Sequence, residues 1–375
     1  MKKYFIPIFI VAFSLYSCAQ SKSDRHSNID SKSKVYISQS ELSGEVQHLM
    51  DSLINKDLFS GAVLVANREN ILFEKAYGEA SKRFHVKNNM DTKFNLASMN
   101  KMFTSIAIMQ LIEKGRIKLD DYISKYVDES WLPKIITEKV TVKHLLSHTS
   151  GLRSYFNRTF KDSSKELYRS LVDFKPLVNN DRLYFEPGER FQYSNTGMLL
   201  LGIIIQEASG EDYFEYIRKY ICEPVGMSNT EYYEMDEPVE NLAIGYVRTE
   251  NNDSGWMNNI YQHVIKGGPA GGGFSTVKDL HKFSVALLNG ALVSESSRKL
   301  LWTDYVDSNY GFGFEVDETE NGKRVGHSGG FPGVSANLDI YERKGYIVIV
   351  LSNYDRALND LPKKIGTLIS KIKEE

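Results

Sequence analysis

The stretch Ser98-Met-Asn-Lys101-Met-Phe-Thr-Ser-Ile-Ala-Ile-Met-Gln-Leu-Ile-Glu113-Lys-Gly115 carries apolar residues on nearly every helical face and ends in a glycine stop. It therefore predicts a buried helix from Met99 to Glu113 with Gly115 at its C-cap. Such a helix places Lys101 in the interior. Burial and the positive end of the helix dipole both disfavour an ammonium there, and each pulls the lysine toward the range in which it can act as a base. A serine hydroxyl is a poor nucleophile until a neighbour accepts its proton, and Lys101 stands one turn from Ser98. The same helix start offers the Ser98 N–H to an oxyanion. The competing interpretation is a simple helix cap with the lysine reaching out to solvent.

Ser-x-x-Lys alone says little, because the spacing recurs at Ser31, Ser275, Ser296 and Ser370. Ser31 lies in a polar stretch, Ser296 in a polar surface segment and Ser370 near the C-terminal end, so none has surroundings that would shift a lysine. Ser275-Thr-Val-Lys278 also opens a helix, but Ser275 or Thr276 with Asp279 reads as an ordinary N-cap.

Two further strings follow in order. Tyr193-Ser-Asn195 sits in Glu186-Pro-Gly-Glu-Arg-Phe-Gln-Tyr-Ser-Asn-Thr-Gly197, where a Pro-Gly turn and a new helix fix the tyrosine on a tight loop. Its rival, Tyr155-Phe-Asn157, lacks such punctuation. His327-Ser-Gly329 is the only His-x-Gly, and Gly330 and Gly333 after it would let a substrate approach the backbone closely. In isolation it equally fits a glycine-rich strand edge with an exposed histidine.

Together these strings resemble the serine β-lactamase and penicillin-binding-protein superfamily, in the branch of class C β-lactamases, D-alanyl-D-alanine carboxypeptidases and related esterases. Leu145-Leu-Ser-His-Thr-Ser-Gly-Leu152, Gly271-Gly-Gly-Phe-Ser-Thr276 and Gly326-His-Ser-Gly-Gly330 are similar to that branch too, and the likeness spans about residues 43–353. The resemblance implies a lipid-anchored serine hydrolase acting through an acyl-enzyme on an amide, ester or D-amino-acid peptide. Ser98 would be acylated, with Lys101 and Tyr193 moving its proton. Asn195 would orient Lys101 and the substrate amide. Ser98 and Gly330 N–H groups would form the oxyanion hole, with His327 and Gly329 beside them on the same strand, while His148 and the Ser150-Gly151 turn look structural. One departure matters: a lysine usually opens the third motif where a carboxylate is bound, and His327 is only partly charged near neutrality. Weight moves from β-lactamase toward peptidase, amidase or esterase. The alternative is a cell-wall-sensing or penicillin-binding protein that is acylated without turnover.

The expected fold is α/β of the α+β kind: an antiparallel sheet built from both chain ends, flanking helices, and an inserted, mostly helical region. Gly61–Ala66 and Ile71–Tyr77 read as a hairpin; Gly311–Val316, Ser335–Tyr341 and Tyr346–Leu351 read as strands, the last apolar throughout and therefore central. Helices are expected near Thr141–Ser147, Gly197–Ala208, Val277–Leu288 and from about Leu361 to Lys373, the last with Asp360 as N-cap and Pro362 in its first turn. The sheet region would comprise about 41–97 and 270–373, the helical region about 98–269.

The 375 residues suffice for a sizeable core, and 42% hydrophobic with 25% charged residues is an ordinary globular composition. A net charge of -2 and the lack of a basic run with aromatics give no reason to expect nucleic acid. Lys2 and Lys3 followed by an apolar run from Tyr4 to Tyr16 read as a signal peptide over residues 1–17, and Leu15-Tyr-Ser-Cys18 resembles a lipobox that would leave Cys18 lipidated. Residues 18–40 then read as a polar tether, so the domain would be exported and held to a membrane by lipid, facing the periplasm or the cell exterior. Ala19 fits outer-membrane sorting. Cys222 is left without a disulfide partner and reads as a buried thiol. No His-Glu-x-x-His or paired-cysteine spacing and no P-loop lysine occurs, so no metal or cofactor is expected, and Gly267–Gly273 reads as close-packed backbone. The expected partner is a small-molecule or peptide substrate, with peptidoglycan fragments among the candidates; the sequence carries no signal of oligomeric state.

Overall fold

The structure, a computed structural model, describes residues 36–372. The expected signal peptide, Cys18 and most of the expected tether lie outside the described residues. Helix α1, Gln39–Ile54, begins inside the segment expected to be tether: Ser38 caps it in a capping box with Glu41, and Ile37 forms a bridge to Ile372. Residues 37–40, expected to be tether, thus take part in the fold.

Six strands form one antiparallel sheet: β1 Gly61–Ala66, β2 Ile71–Tyr77, β3 Glu315–Thr319, β4 Gly322–Phe331, β5 Val334–Tyr341 and β6 Tyr346–Ser352, in the spatial order β2-β1-β6-β5-β4-β3. Both chain ends meet at its centre, where β1 pairs with β6 in the register Val63↔Val350 and Leu64↔Ile349. Strand β6 is buried on both faces because its period-2 alternation feeds two cores. Ile347, Ile349 and Leu351 point into the larger core, while Tyr346, Val348 and Val350 point into a second one shared with α1 and the closing helix.

Four more long or site-bearing helices matter for function: α2 Asn100–Glu113, α3 Val142–Leu146, α4 Asn195–Ser209 and α5 Val277–Leu288; α6, Leu361–Ser370, closes the chain. Helix α2 is apolar all round, as expected, and stops at Gly115 in the left-handed region, φ +69°. Phe103 of α2 meets Phe283 of α5 edge-on at 4.9 Å between ring centroids. The larger core runs from the sheet into the helical insertion without interruption, so the two regions expected from sequence form one compact unit from Tyr36 onward. Among the described residues no helix is long and apolar enough to cross a membrane.

One expected strand is corrected. Gly311–Phe314 is a turn: Gly311 N–H donates to Phe314 O at 2.8 Å, Phe312 N–H donates to Leu301 O at 3.0 Å, and Gly313 has φ +72°. A Cβ at Gly313 would stand 1.9 Å from Ser105 Oγ and 2.9 Å from Lys101 O, so the turn leans directly on α2. Phe312 and Phe314 are buried through this turn, and β3 starts only at Glu315.

Candidate active site

A short 3₁₀ turn, Ala97–Met99, leads into α2. Ala97 adopts φ +44°, a costly conformation for a residue with a Cβ, and its N–H is held by Asn95 Oδ1 at 2.8 Å. The sharp turn leaves Ser98 partly exposed while Lys101, three residues on, has 0% of its surface in contact with solvent. Lys101 Nζ lies 3.1 Å from Ser98 Oγ and 2.5 Å from the Ala270 carbonyl oxygen, and 4.7 Å above the centre of the Tyr193 ring. Burial pushes the Lys101 ammonium well below its ordinary value.

The Ala270 carbonyl is delivered by the glycine-rich segment Gly267–Gly273. Its backbone is stitched to the first turns of α2: Thr104 Oγ1 donates to Pro269 O at 2.8 Å, and Gly273 N–H donates to Asn100 Oδ1 at 2.8 Å. At Gly271 a Cβ would stand 2.6 Å from Ala97 O. Close-packed backbone is therefore what the glycines allow, as their reading in the sequence anticipated.

Tyr193 and Asn195 reach the site from the start of α4, which begins two residues before the expected Gly197 and so includes Asn195 in its first turn. Ser194 caps the helix through Gly197 N–H at 3.1 Å. Burial raises the Tyr193 phenol above its ordinary value, and a hydrogen bond with the Ser98 side chain partly offsets this. The loop is braced by His148, which follows α3: its carbonyl accepts Gln192 N–H at 2.8 Å and its Nδ1 accepts Ser194 N–H at 3.3 Å. Asn195 departs from expectation. Its Nδ2 donates to Ser154 Oγ at 3.1 Å, whereas the second hydrogen-bond partner of Lys101 is the Ala270 carbonyl.

Strand β4 supplies the third string. His327 and Gly329 face inward and Ser328 and Gly330 outward, the alternation a strand imposes. A Cβ at Gly329 would stand 2.2 Å from Leu96 O, so only glycine lets β4 lie against the Ser98 turn. Gly330 opens onto empty space next to Ser98. His327 is buried, contrary to an exposed strand-edge histidine, and burial lowers its imidazole to about 4 even with Glu315 Oε1 3.7 Å away. Glu315 itself accepts the Ser328 N–H and hydroxyl at 3.1 and 2.5 Å, which closes the bare edge of β4 beyond the end of β3.

A residue the sequence did not single out joins two of the strings. The Tyr310 hydroxyl lies 3.2 Å from His148 Nε2 and 3.0 Å from His327 Nε2. Its only sequence signal is a tyrosine just before the expected strand Gly311–Val316. Ser154 and the Ala270 carbonyl were likewise unmarked, since neither carries a motif of its own.

The chain matches the family model described as beta-lactamase over residues 43–366. A penicillin-binding protein of Bacillus subtilis strain 168 is 33% identical over 327 residues, covering 82% of this chain and 71% of that protein. The crystal structure of a penicillin-binding protein from Bacillus halodurans superimposes with a TM-score of 0.78 at 31% identity, covering 84% of this chain and 98% of the other. The fold alone is also shared with a D-amino acid amidase from Ochrobactrum anthropi SV3, at 22% identity and a TM-score of 0.74, covering 88% of this chain and 98% of that one. The chain therefore belongs to the beta-lactamase family, with its penicillin-binding-protein relatives. At the level of that family its role is that of a serine acyl-enzyme hydrolase or a penicillin-binding protein.

Proposed function

We propose that the protein is a serine hydrolase that turns over an ester, amide or D-amino-acid peptide through an acyl-enzyme at Ser98. The observation that carries this reading is the Lys101 amine, fully buried, 3.1 Å from a partly exposed Ser98 hydroxyl. A lysine held neutral has a lone pair to accept the serine proton, and burial is the cause of that neutrality. As Ser98 Oγ bonds to the substrate carbonyl carbon, its proton passes to the neutral Lys101 amine. The oxyanion is held by the Ser98 and Gly330 N–H groups. Collapse breaks the bond to the leaving group, which departs with the Tyr193 phenol proton, and Lys101 passes the serine proton on to Tyr193. Water then attacks the acyl carbon, gives its proton to the same pair, and Ser98 recovers its hydrogen as the acid leaves. Asn195 orients the substrate amide.

A neutral His327 offers no fixed charge for a substrate carboxylate, which favours esters and amides over a β-lactam. The run from Lys2 to Cys18 supports an exported, lipid-anchored protein facing the periplasm or exterior, with peptidoglycan fragments among its substrates.

The similarity to penicillin-binding proteins supports a second reading, acylation without turnover. Stopped-flow hydrolysis of a chromogenic ester separates the two. Continued steady-state release after the burst, lost in Ser98→Ala, supports the hydrolase; a single stoichiometric burst with no further release supports the sensor and overturns turnover.

A further inference from the structure

Beside Ser98 lies a cleft of about 480 Å³ including its open mouth, lined on one side by the Ala270–Gly272 backbone and on the other by aromatic side chains. The rings form a continuous chain. His263 lies 4.5 Å from Phe331, Phe331 lies 6.2 Å from Phe156, and Phe156 lies 4.9 Å from both Tyr155 and Phe160, all between centroids. Tyr155 and Phe160 are buried, while Phe156 is 40% exposed and Phe331 half-buried, so these two present free faces to an occupant. No Asp, Glu, Lys or Arg lines the cleft.

Its one titratable imidazole is neutral. Asn259 Nδ2 donates to His263 Nε2 at 2.7 Å, and burial lowers His263 to about 4. The polar side chains that line it, Asn95, Asn195, Tyr155, His263 and Ser98 itself, carry no fixed charge. Tyr193 and His327 do not line the cleft. A leaving group must depart toward the group that protonates it, here Tyr193, so the cleft, which Tyr193 does not line, suits the part of the substrate that stays on the enzyme.

We propose that this cleft is the acyl-group subsite and that it takes a bulky, uncharged aromatic or branched apolar acyl group. The selection rests on the Ser98 hydrolase reading above. Aromatic walls favour a ring by burial of apolar area and by edge or offset contacts. A carboxylate on the same group finds no cation there and loses its hydration.

The test compares p-nitrophenyl esters with one leaving group and three acyl groups: acetyl, phenylacetyl and succinyl, the last bearing a free carboxylate. The expected kcat/KM for phenylacetyl exceeds that for acetyl by about tenfold or more and that for succinyl by more again, in line with what a pocket discriminates. Phe331→Ala and, at the more exposed position, Phe156→Ala are each expected to lower the phenylacetyl-to-acetyl ratio several-fold. A wild-type ratio near one, or a preference for succinyl, overturns the proposal, as does an unchanged ratio in both folded variants. Labelling of Ser98 by a fluorophosphonate keeps the two readings apart. Labelled protein with no acyl preference contradicts the subsite alone; folded protein that resists the label contradicts the hydrolase itself.

Discussion

The hydroxyl of Tyr310 lies 3.0 Å from Nε2 of His327 and 3.2 Å from Nε2 of His148, which ties the third motif to the histidine that braces the Tyr193 loop. The hydrogen bonds around it admit one consistent proton arrangement. Ser194 N–H donates to His148 Nδ1, so the His148 proton sits on Nε2 and is given to Tyr310; Tyr310 donates to His327 Nε2, and His327 Nδ1–H donates to the Ser328 carbonyl at 2.5 Å. Both histidines are neutral in this chain. Burial pushes each of them down.

Tyr310→Phe removes the bridging hydroxyl and leaves a buried donor on His148 and a buried acceptor on His327 without partners. The expected cost is about 1–3 kcal/mol of stability, read by urea denaturation, with kcat falling as the Tyr193 loop loses its brace. A variant as stable and as active as wild type would show that the bridge holds nothing.

Lys101→Ala and Tyr193→Phe each remove a group assigned to proton transfer. Acylation is expected to slow by about 10²- to 10⁴-fold in either, measured as the burst rate with a chromogenic ester. Wild-type burst rates would remove the assigned roles.

The depressed Lys101 sets the pH dependence. Because the active form is the neutral amine, kcat/KM is expected to rise with pH through the folded-state pKa and level off well below the ordinary 10.5. A limb centred near 10.5 would mean that the lysine is not desolvated during acylation. Stability follows the same logic for His327, lowered from 6.5 to about 4. The unfolded chain binds that proton first, so stability is lost as pH falls from about 6.5 toward 4. Asp339, raised by burial to about 6, acts in the opposite sense over part of this window. The difference between wild type and His327→Gln isolates the histidine: the wild-type melting temperature should fall more steeply with acid.

Gly329→Ala places a methyl 2.2 Å from Leu96 O, and neither backbone can yield without moving β4 off the Ser98 turn. A loss of about 1–3 kcal/mol and of most activity is expected, read together by thermal melts and ester turnover.

How much of this was legible depended on whether a residue's role is local. Ser98 and Lys101 stood out because spacing and an all-apolar helix are both written along one segment, and the structure places the lysine inside and the serine at the surface. The β1–β2 hairpin and the central β6 were likewise visible from alternation and apolar run length. Tyr310 was not, because its function is set by two histidines 162 and 17 residues away, and its Gly-Phe-Gly-Phe context mimics a strand until Gly313 turns left-handed. The Ser154 hydroxyl on Asn195 and the Ala270 carbonyl on Lys101 are contacts the sequence cannot show, because each comes from a distant segment. The exposed His327 of the strand-edge alternative became a buried one for the same reason, since its cover comes from Tyr310 and Tyr193 on other elements.

The central claim is that Ser98 becomes acylated because Lys101 beside it is neutral. Intact-mass measurement after treatment with a fluorophosphonate, followed by peptide mapping, tests it most directly. One adduct per chain on Ser98, lost in Ser98→Ala and strongly slowed in Lys101→Ala, is the predicted result. Folded protein that stays unmodified, or an adduct on another residue, would contradict it.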